Sequence, residues 1–140
     1  MKNNKVLAIV ITIVAAAIGS WFGQEILFQK PSFDKQLLAV ASEFNKSCPI
    51  MVDSETRLDN TIGGPGKSFA YNYTLINYSK DELDMDYLES TLRPSILNNI
   101  KTNPDMAEFR KNKVEFKYVY KDKNGIFITN ITIKPDEYLN

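Results

Sequence analysis

Apolar and polar positions change their spacing several times along the chain, and each change marks an element. Residues 6–23 (VLAIVITIVAAAIGSWFG) carry no charge and no polar stripe. From residue 32 to 46 the apolar positions Phe33, Leu37, Leu38, Val40, Ala41 and Phe44 recur at helical spacing. Ser32 stands where a helix N-cap is wanted, and Asp34 in the first turn and Lys46 in the last suit the helix dipole. Residues 55–62 read as a strand that turns at Gly63-Gly64-Pro65-Gly66. Residues 68–78 alternate strictly, with Phe69, Tyr71, Tyr73 and Leu75 on one face. An acidic start at Ser79-Lys80-Asp81-Glu82 opens a second helical region with Met85, Leu88 and Leu92 as its stripe. Pro94 interrupts that stripe, which resumes at Ile96, Leu97 and Ile100, so two helices or one bent helix are expected. A short helix follows Asn103-Pro104-Asp105. Residues 113–120 and 126–133 alternate again around Asn124-Gly125, a strong hairpin signal.

The order is helix, hairpin, helices, hairpin. Successive strands usually pair antiparallel. The expected fold is α+β: an N-terminal transmembrane helix, then a four-stranded antiparallel sheet with helices on one face. The two helix–hairpin halves are alike in plan, without a residue-level repeat.

Residues 6–23 set the expected location. A bilayer core of about 30 Å needs about 20 apolar residues of helix, and this run is near the lower limit. Trp21 and Phe22 mark its C-terminal edge, and Lys2 and Lys5 precede it. That pattern predicts a cytoplasmic tip (1–5), a single-pass transmembrane signal-anchor (6–23), a linker (24–31) and an extracytoplasmic domain (32–140). The membrane would be an inner or plasma membrane, with the bilayer itself as one partner. The rival is a cleaved signal peptide, cut near Ala17-Ile18-Gly19, which would leave a secreted or periplasmic domain.

Composition narrows the chemistry. The chain has 140 residues, with 17 basic and 17 acidic, so no charge excess invites nucleic acid. There is no His, which removes the commonest general base. The single Cys allows no internal disulfide. No catalytic or metal-binding constellation and no cofactor is expected.

Several stretches invite a site. Residues 61–68 approach the phosphate-loop pattern, but Thr61 stands where Gly is required, and a strand rather than a helix follows. Asp81, Glu82, Asp84 and Asp86 lack the Gly and the closing Glu of a calcium loop and read as a helix start. Cys48, Asp53, Arg57 and Asp59 form the densest polar cluster beside apolar residues. A reactive Cys48 would need an unusual base, and a buried Cys beside a solvated strand edge is the reading the residues favour. Tyr71 and Tyr73, with Tyr78, Tyr118 and Tyr120, are a core stripe or, on an uncovered face, a binding patch. Cys48, Asp53, Arg57, Asp59, Tyr71 and Tyr73 are therefore the candidate binding residues.

Along Asn45-Lys46-Ser47-Cys48-Pro49-Ile50-Met51-Val52-Asp53, Thr56-Arg57-Leu58-Asp59 and Tyr71-Asn72-Tyr73-Thr74-Leu75, the chain resembles small uncharacterised bacterial membrane-anchored proteins. The resemblance implies a bacterial source and no particular activity. The function expected from all this is a non-enzymatic, membrane-anchored extracytoplasmic binding or structural module of unknown ligand, with an envelope protein as its partner and no nucleic acid. The alternative is a secreted or tethered inhibitor or immunity-type protein.

Overall fold

The computed structural model describes residues 32–140. Helix α1 (Phe33–Asn45) is capped by Ser32, whose Oγ accepts from Lys35 N at 3.4 Å. It buries Leu37, Val40, Ala41 and Phe44, while Leu38 stays exposed. Strand β1 (Ile50–Met51) is two residues long and leads to β2 (Thr56–Gly63) and β3 (Ser68–Leu75). Residues 76–114 then cross over through a 3-10 turn (Lys80–Glu82), α2 (Met85–Thr102), a second 3-10 turn (Pro104–Met106) and α3 (Ala107–Lys111). Strands β4 (Glu115–Lys121) and β5 (Phe127–Ile133) follow, and α4 (Pro135–Tyr138) closes the chain.

The sheet corrects the expected four antiparallel strands. It has five, in the order β1-β2-β3-β4-β5, and it is mixed. The pairs β1–β2, β2–β3 and β4–β5 are antiparallel, whereas β3 and β4 run parallel. A hairpin turn forces antiparallel pairing, but a long helical crossover can return the chain in the original direction. Residues 76–114 do this, so the two hairpins meet side by side in parallel.

The parallel pair also corrects the expectation of no residue-level repeat. Phe69-Ala70-Tyr71-Asn72-Tyr73 and Phe116-Lys117-Tyr118-Val119-Tyr120 share the pattern F-x-Y-x-Y. They pair in register, Phe69 with Phe116, Tyr71 with Tyr118 and Tyr73 with Tyr120.

All six of these aromatics are buried on one face. Helix α1 packs over β2 on that side, and α2 packs beside β5 and α4. Helix α2 continues through Pro94 as one element, with Leu88, Leu92, Ile96 and Ile100 buried in a single stripe. Proline in a helix removes one backbone donor, and here burial on both sides of it keeps the helix whole. Pro135, two residues beyond β5, is the first residue of α4. That helix is docked by Tyr138, whose hydroxyl donates to Val114 O at 2.7 Å and whose ring meets Phe116 edge-on at 6.0 Å.

The single-pass, signal-anchor segment expected at residues 6–23 lies outside the described residues. Among the described residues no helix is long and apolar enough to cross a membrane. The described residues form an α+β domain with four helices on a five-stranded mixed sheet, in place of the expected four-stranded one.

Candidate functional site

Strand alternation sends Tyr71 and Tyr73 of β3, and Tyr118 and Tyr120 of β4, to the helix-covered face. In-register parallel pairing then stacks like on like. Tyr71 and Tyr118 lie 5.0 Å apart between ring centroids at 16°, and Tyr73 and Tyr120 5.1 Å apart at 18°. Tyr71 and Tyr73 are 6.2 Å apart at 15°. The result is a quartet of near-parallel rings, each at most 1% exposed. Phe69, Phe116 and Phe109 close one end of it.

The four hydroxyls have no hydrogen-bond partner, although all are buried. Three more buried atoms share that condition: Thr56 Oγ1 and Asp53 Oδ2 on this face, and Asn99 Nδ2 on α2. Thr56 sits at the start of β2. Asp53 makes the turn before it, with Oδ1 accepting from Glu55 N at 2.7 Å and Thr56 N at 2.8 Å. A bare buried polar group costs about 1–3 kcal/mol. The six on this face would cost roughly 6–18 kcal/mol, as much as the net stability of a domain, about 5–15 kcal/mol.

The electrostatics agree. Burial pushes all four phenols well above their usual range. For Tyr120 the Asp53 charge adds to burial. For Tyr73 the neighbouring phenols of Tyr120 and Tyr71 and then the Cys48 thiol add to it. The Cys48 thiol is itself raised, first by burial and then by Asp59. A thiol held protonated is a poor nucleophile, and no base bonds to it among the described residues.

The candidate residues thus divide between the two faces. Cys48, Asp53, Tyr71 and Tyr73 come together at or beneath the helix layer. Arg57 and Asp59 lie on the other face, where Arg57 Nε meets Asp59 Oδ1 at 2.6 Å and Asp59 Oδ2 accepts from the Thr74 hydroxyl. This half-exposed pair is worth at most about 1 kcal/mol. Tyr118, Tyr120 and Thr56 complete the inner cluster without having been chosen as site residues. The repeated F-x-Y-x-Y pattern was the available signal for the two tyrosines; nothing in the sequence marks Thr56.

Two other suspected sites have structural explanations. The N–H groups of Gly66 and Lys67, which a phosphate loop would turn to its ligand, donate to the Asp34 carboxylate at 3.0 and 2.8 Å. In the acidic run, Glu82 accepts from Ser79 N at 2.7 Å and Asp84 accepts from Tyr87 N at 3.1 Å. Both carboxylates cap helical turns. The Glu82 carboxyl lies below its usual range because the Ser79 backbone and hydroxyl bond to it.

Among the described residues no helix covers the opposite face of the sheet. Its rows are Ile62–Ala70–Lys117–Thr132, Asn60–Asn72–Val119–Asn130 and Met51–Arg57–Thr74–Lys121–Phe127. Met51, Ile62 and Phe127 are exposed at its margins. Lys117 and Lys121, on β4 in the rows to either side of the central one, are exposed and form no ion pair among the described residues.

Residues 32–127 match the family described as Domain of unknown function (DUF8479), and the chain belongs to that family. The family is uncharacterised, as the sequence resemblance implied, and the match says nothing of anchoring. The chain has no match among curated proteins. Its fold is similar to that of a candidate secreted protein from Pseudomonas aeruginosa, with a TM-score of 0.62 at 11% identity, over 74% of this chain and 90% of that one. It is also similar to the type II secretion system pilotin AspS from Vibrio cholerae, at 0.56 and 8% identity, with 74% and 90% covered. The pilotin EpsS from the Vibrio vulnificus type 2 secretion system matches at 0.53 and 11% identity, with 74% and 93% covered. At these identities the likeness is one of fold.

Proposed function

We propose that the protein is a non-enzymatic module, secreted or periplasmic, that binds another protein of the cell envelope. The observation that carries this reading is the fold it shares, over about three-quarters of its length, with a candidate secreted protein and two secretion-system pilotins. The expected inner- or plasma-membrane location is withdrawn. No described helix can cross a membrane, and these relatives favour the secreted or periplasmic alternative. A secreted inhibitor is a narrower form of the same reading, since it too binds a protein target.

The binding surface in this proposal is the helix-free face of the sheet. Exposed Met51, Ile62 and Phe127 offer apolar contact, and unpaired Lys117 and Lys121 ask for carboxylates. The partner is therefore a protein with an acidic patch bordered by apolar residues. Fractionation should find the chain outside the cytoplasm. A photo-crosslinker at Val119 should capture an envelope protein, and the Lys117→Glu/Lys121→Glu double variant should weaken capture by about tenfold or more. A cytoplasmic chain, or capture indifferent to charge reversal, would sink the proposal.

A further inference from the structure

The crossover and the last hairpin meet in a cleft of about 540 Å³, within the range of roughly 300–1,000 Å³ that ligand sites occupy. Lys80, Leu83 and Met85 line it from the crossover, and Asp122, Asn124 and Ile126 from the hairpin. It opens to solvent between Lys80, Asn124 and Ile126, all exposed. Leu83 is buried and Met85 half-buried against the core, so the floor is apolar.

Both walls of the cleft are fixed before anything binds. The Ile126 N–H donates to Asp122 Oδ1 at 2.9 Å, and the Ile126 carbonyl accepts from Asp122 N at 2.8 Å. Asp122 is tied in turn to the crossover, where Lys80 N donates to its carboxylate at 2.9 Å. Lys123 N makes a second tie, donating to Tyr78 O at 3.0 Å. Little ordering is therefore left to oppose binding. Yet the pinned Ile126 is 53% exposed and its neighbour Phe127 51%. Two bulky apolar side chains held out from a rigid hairpin end mark a contact surface. Phe127 belongs to the outer face and Ile126 to the cleft, so the cleft lies at the margin of that face. The charged groups around it are unequally engaged. Asp122 accepts three backbone N–H groups, and Asp81 accepts from the Ser79 hydroxyl at 2.6 Å. Lys80 forms no ion pair among the described residues. The charge left to meet a ligand is thus an ammonium beside an apolar floor, which suits a carboxylate next to a bulky apolar group.

We propose that this cleft takes an acidic–apolar segment of the partner protein: one bulky apolar side chain packs on Leu83, Met85 and Ile126, and a neighbouring carboxylate pairs with Lys80. The proposal rests on the reading of the outer face as a surface for an envelope protein, and adds to it one specific contact at the margin.

The test uses the full chain and three capped tripeptides. Acetyl-Asp-Leu-Asp-amide carries both features, acetyl-Asp-Ala-Asp-amide lacks the bulky side chain, and acetyl-Lys-Leu-Lys-amide reverses the charge. The first should shift the amide resonances of Lys80, Asn124 and Ile126 saturably, and the other two should bind about tenfold more weakly or not at all. Ile126→Ser and Lys80→Glu alter exposed side chains and leave the core intact. Each should weaken binding of the first peptide by about tenfold or more. In cells, a photo-crosslinker at Asn124 should capture the same envelope protein as one at Val119, and Ile126→Ser should reduce capture at Asn124. No saturable shift, equal responses to the three peptides, or binding undiminished in both variants would overturn the proposal; capture at Val119 beside any of these leaves the outer-face reading standing. Saturable, variant-sensitive peptide binding without capture at Val119 upholds the cleft and removes the outer-face reading instead.

Discussion

Gly63 ends β2 directly under α1. A Cβ there would lie 2.2 Å from Leu37 O, 2.4 Å from Leu37 C and 2.9 Å from Leu38 N. All three are backbone atoms, so no side chain can swing aside. Gly63→Ala must lift the helix from the sheet, and overpacking of this kind costs about 1–3 kcal/mol. The urea midpoint should fall by that amount divided by the slope, with the slope itself unchanged. The sequence shows Gly63 as part of a turn; it hides the contact, because Leu37 belongs to an element that ends well before β2 begins. The same limit applies to the tyrosines. Alternation reveals that Tyr71 and Tyr73 share a face, but only the pairing of β3 with β4 shows that their hydroxyls stand together unpartnered.

Among the elements, α1 holds β2 by more than apolar contact. The Asn45 carboxamide donates to Thr61 O at 2.8 Å and accepts from Thr61 N at 2.7 Å. It occupies the free edge of β2 as a neighbouring strand would, beyond the point where two-residue β1 gives out. Open strand edges invite pairing with other chains, so the bond closes a vulnerable edge as well as docking a helix. Asn45→Ala should cost about 1–3 kcal/mol, and hydrogen exchange at the Thr61 amide should quicken more than at Tyr73. Periodicity made α1, β3, β4 and β5 legible because each buries one face in a regular rhythm. It missed β1, which is too short to have a rhythm, and α4, whose four residues bury only Tyr138. It also misread the sheet, since turn residues report local hairpins and say nothing of direction across residues 76–114.

At the scale of the whole molecule, Asp122 ties the start of the crossover to the last hairpin. Its carboxylate accepts from Lys80 N at 2.9 Å, Asn124 N at 2.8 Å and Ile126 N at 2.9 Å. Burial alone would raise its carboxyl, but these N–H groups and the Lys123 charge hold it below the usual range. A carboxyl lowered by folding stabilises the fold fully above its unfolded value, near pH 4, and that contribution fades as pH falls through the folded value. Urea midpoints followed from about pH 6 to about pH 2 should therefore decline below about pH 4. Asp122→Asn should start lower at neutral pH and show a shallower acid decline.

The paired F-x-Y-x-Y strands also govern the order in which the molecule can assemble. The β2–β3 and β4–β5 hairpins close over short turns and can form early, while the β3–β4 joint waits for the whole crossover to be in place. Until then each half presents an unpaired strand bearing the same aromatic pattern. Because the native joint is parallel and like-with-like, β3 of one chain offers β3 of another the same F-x-Y-x-Y register that its own β4 does. The symmetry that centres the finished core thus makes the unfinished one a template for its own copies.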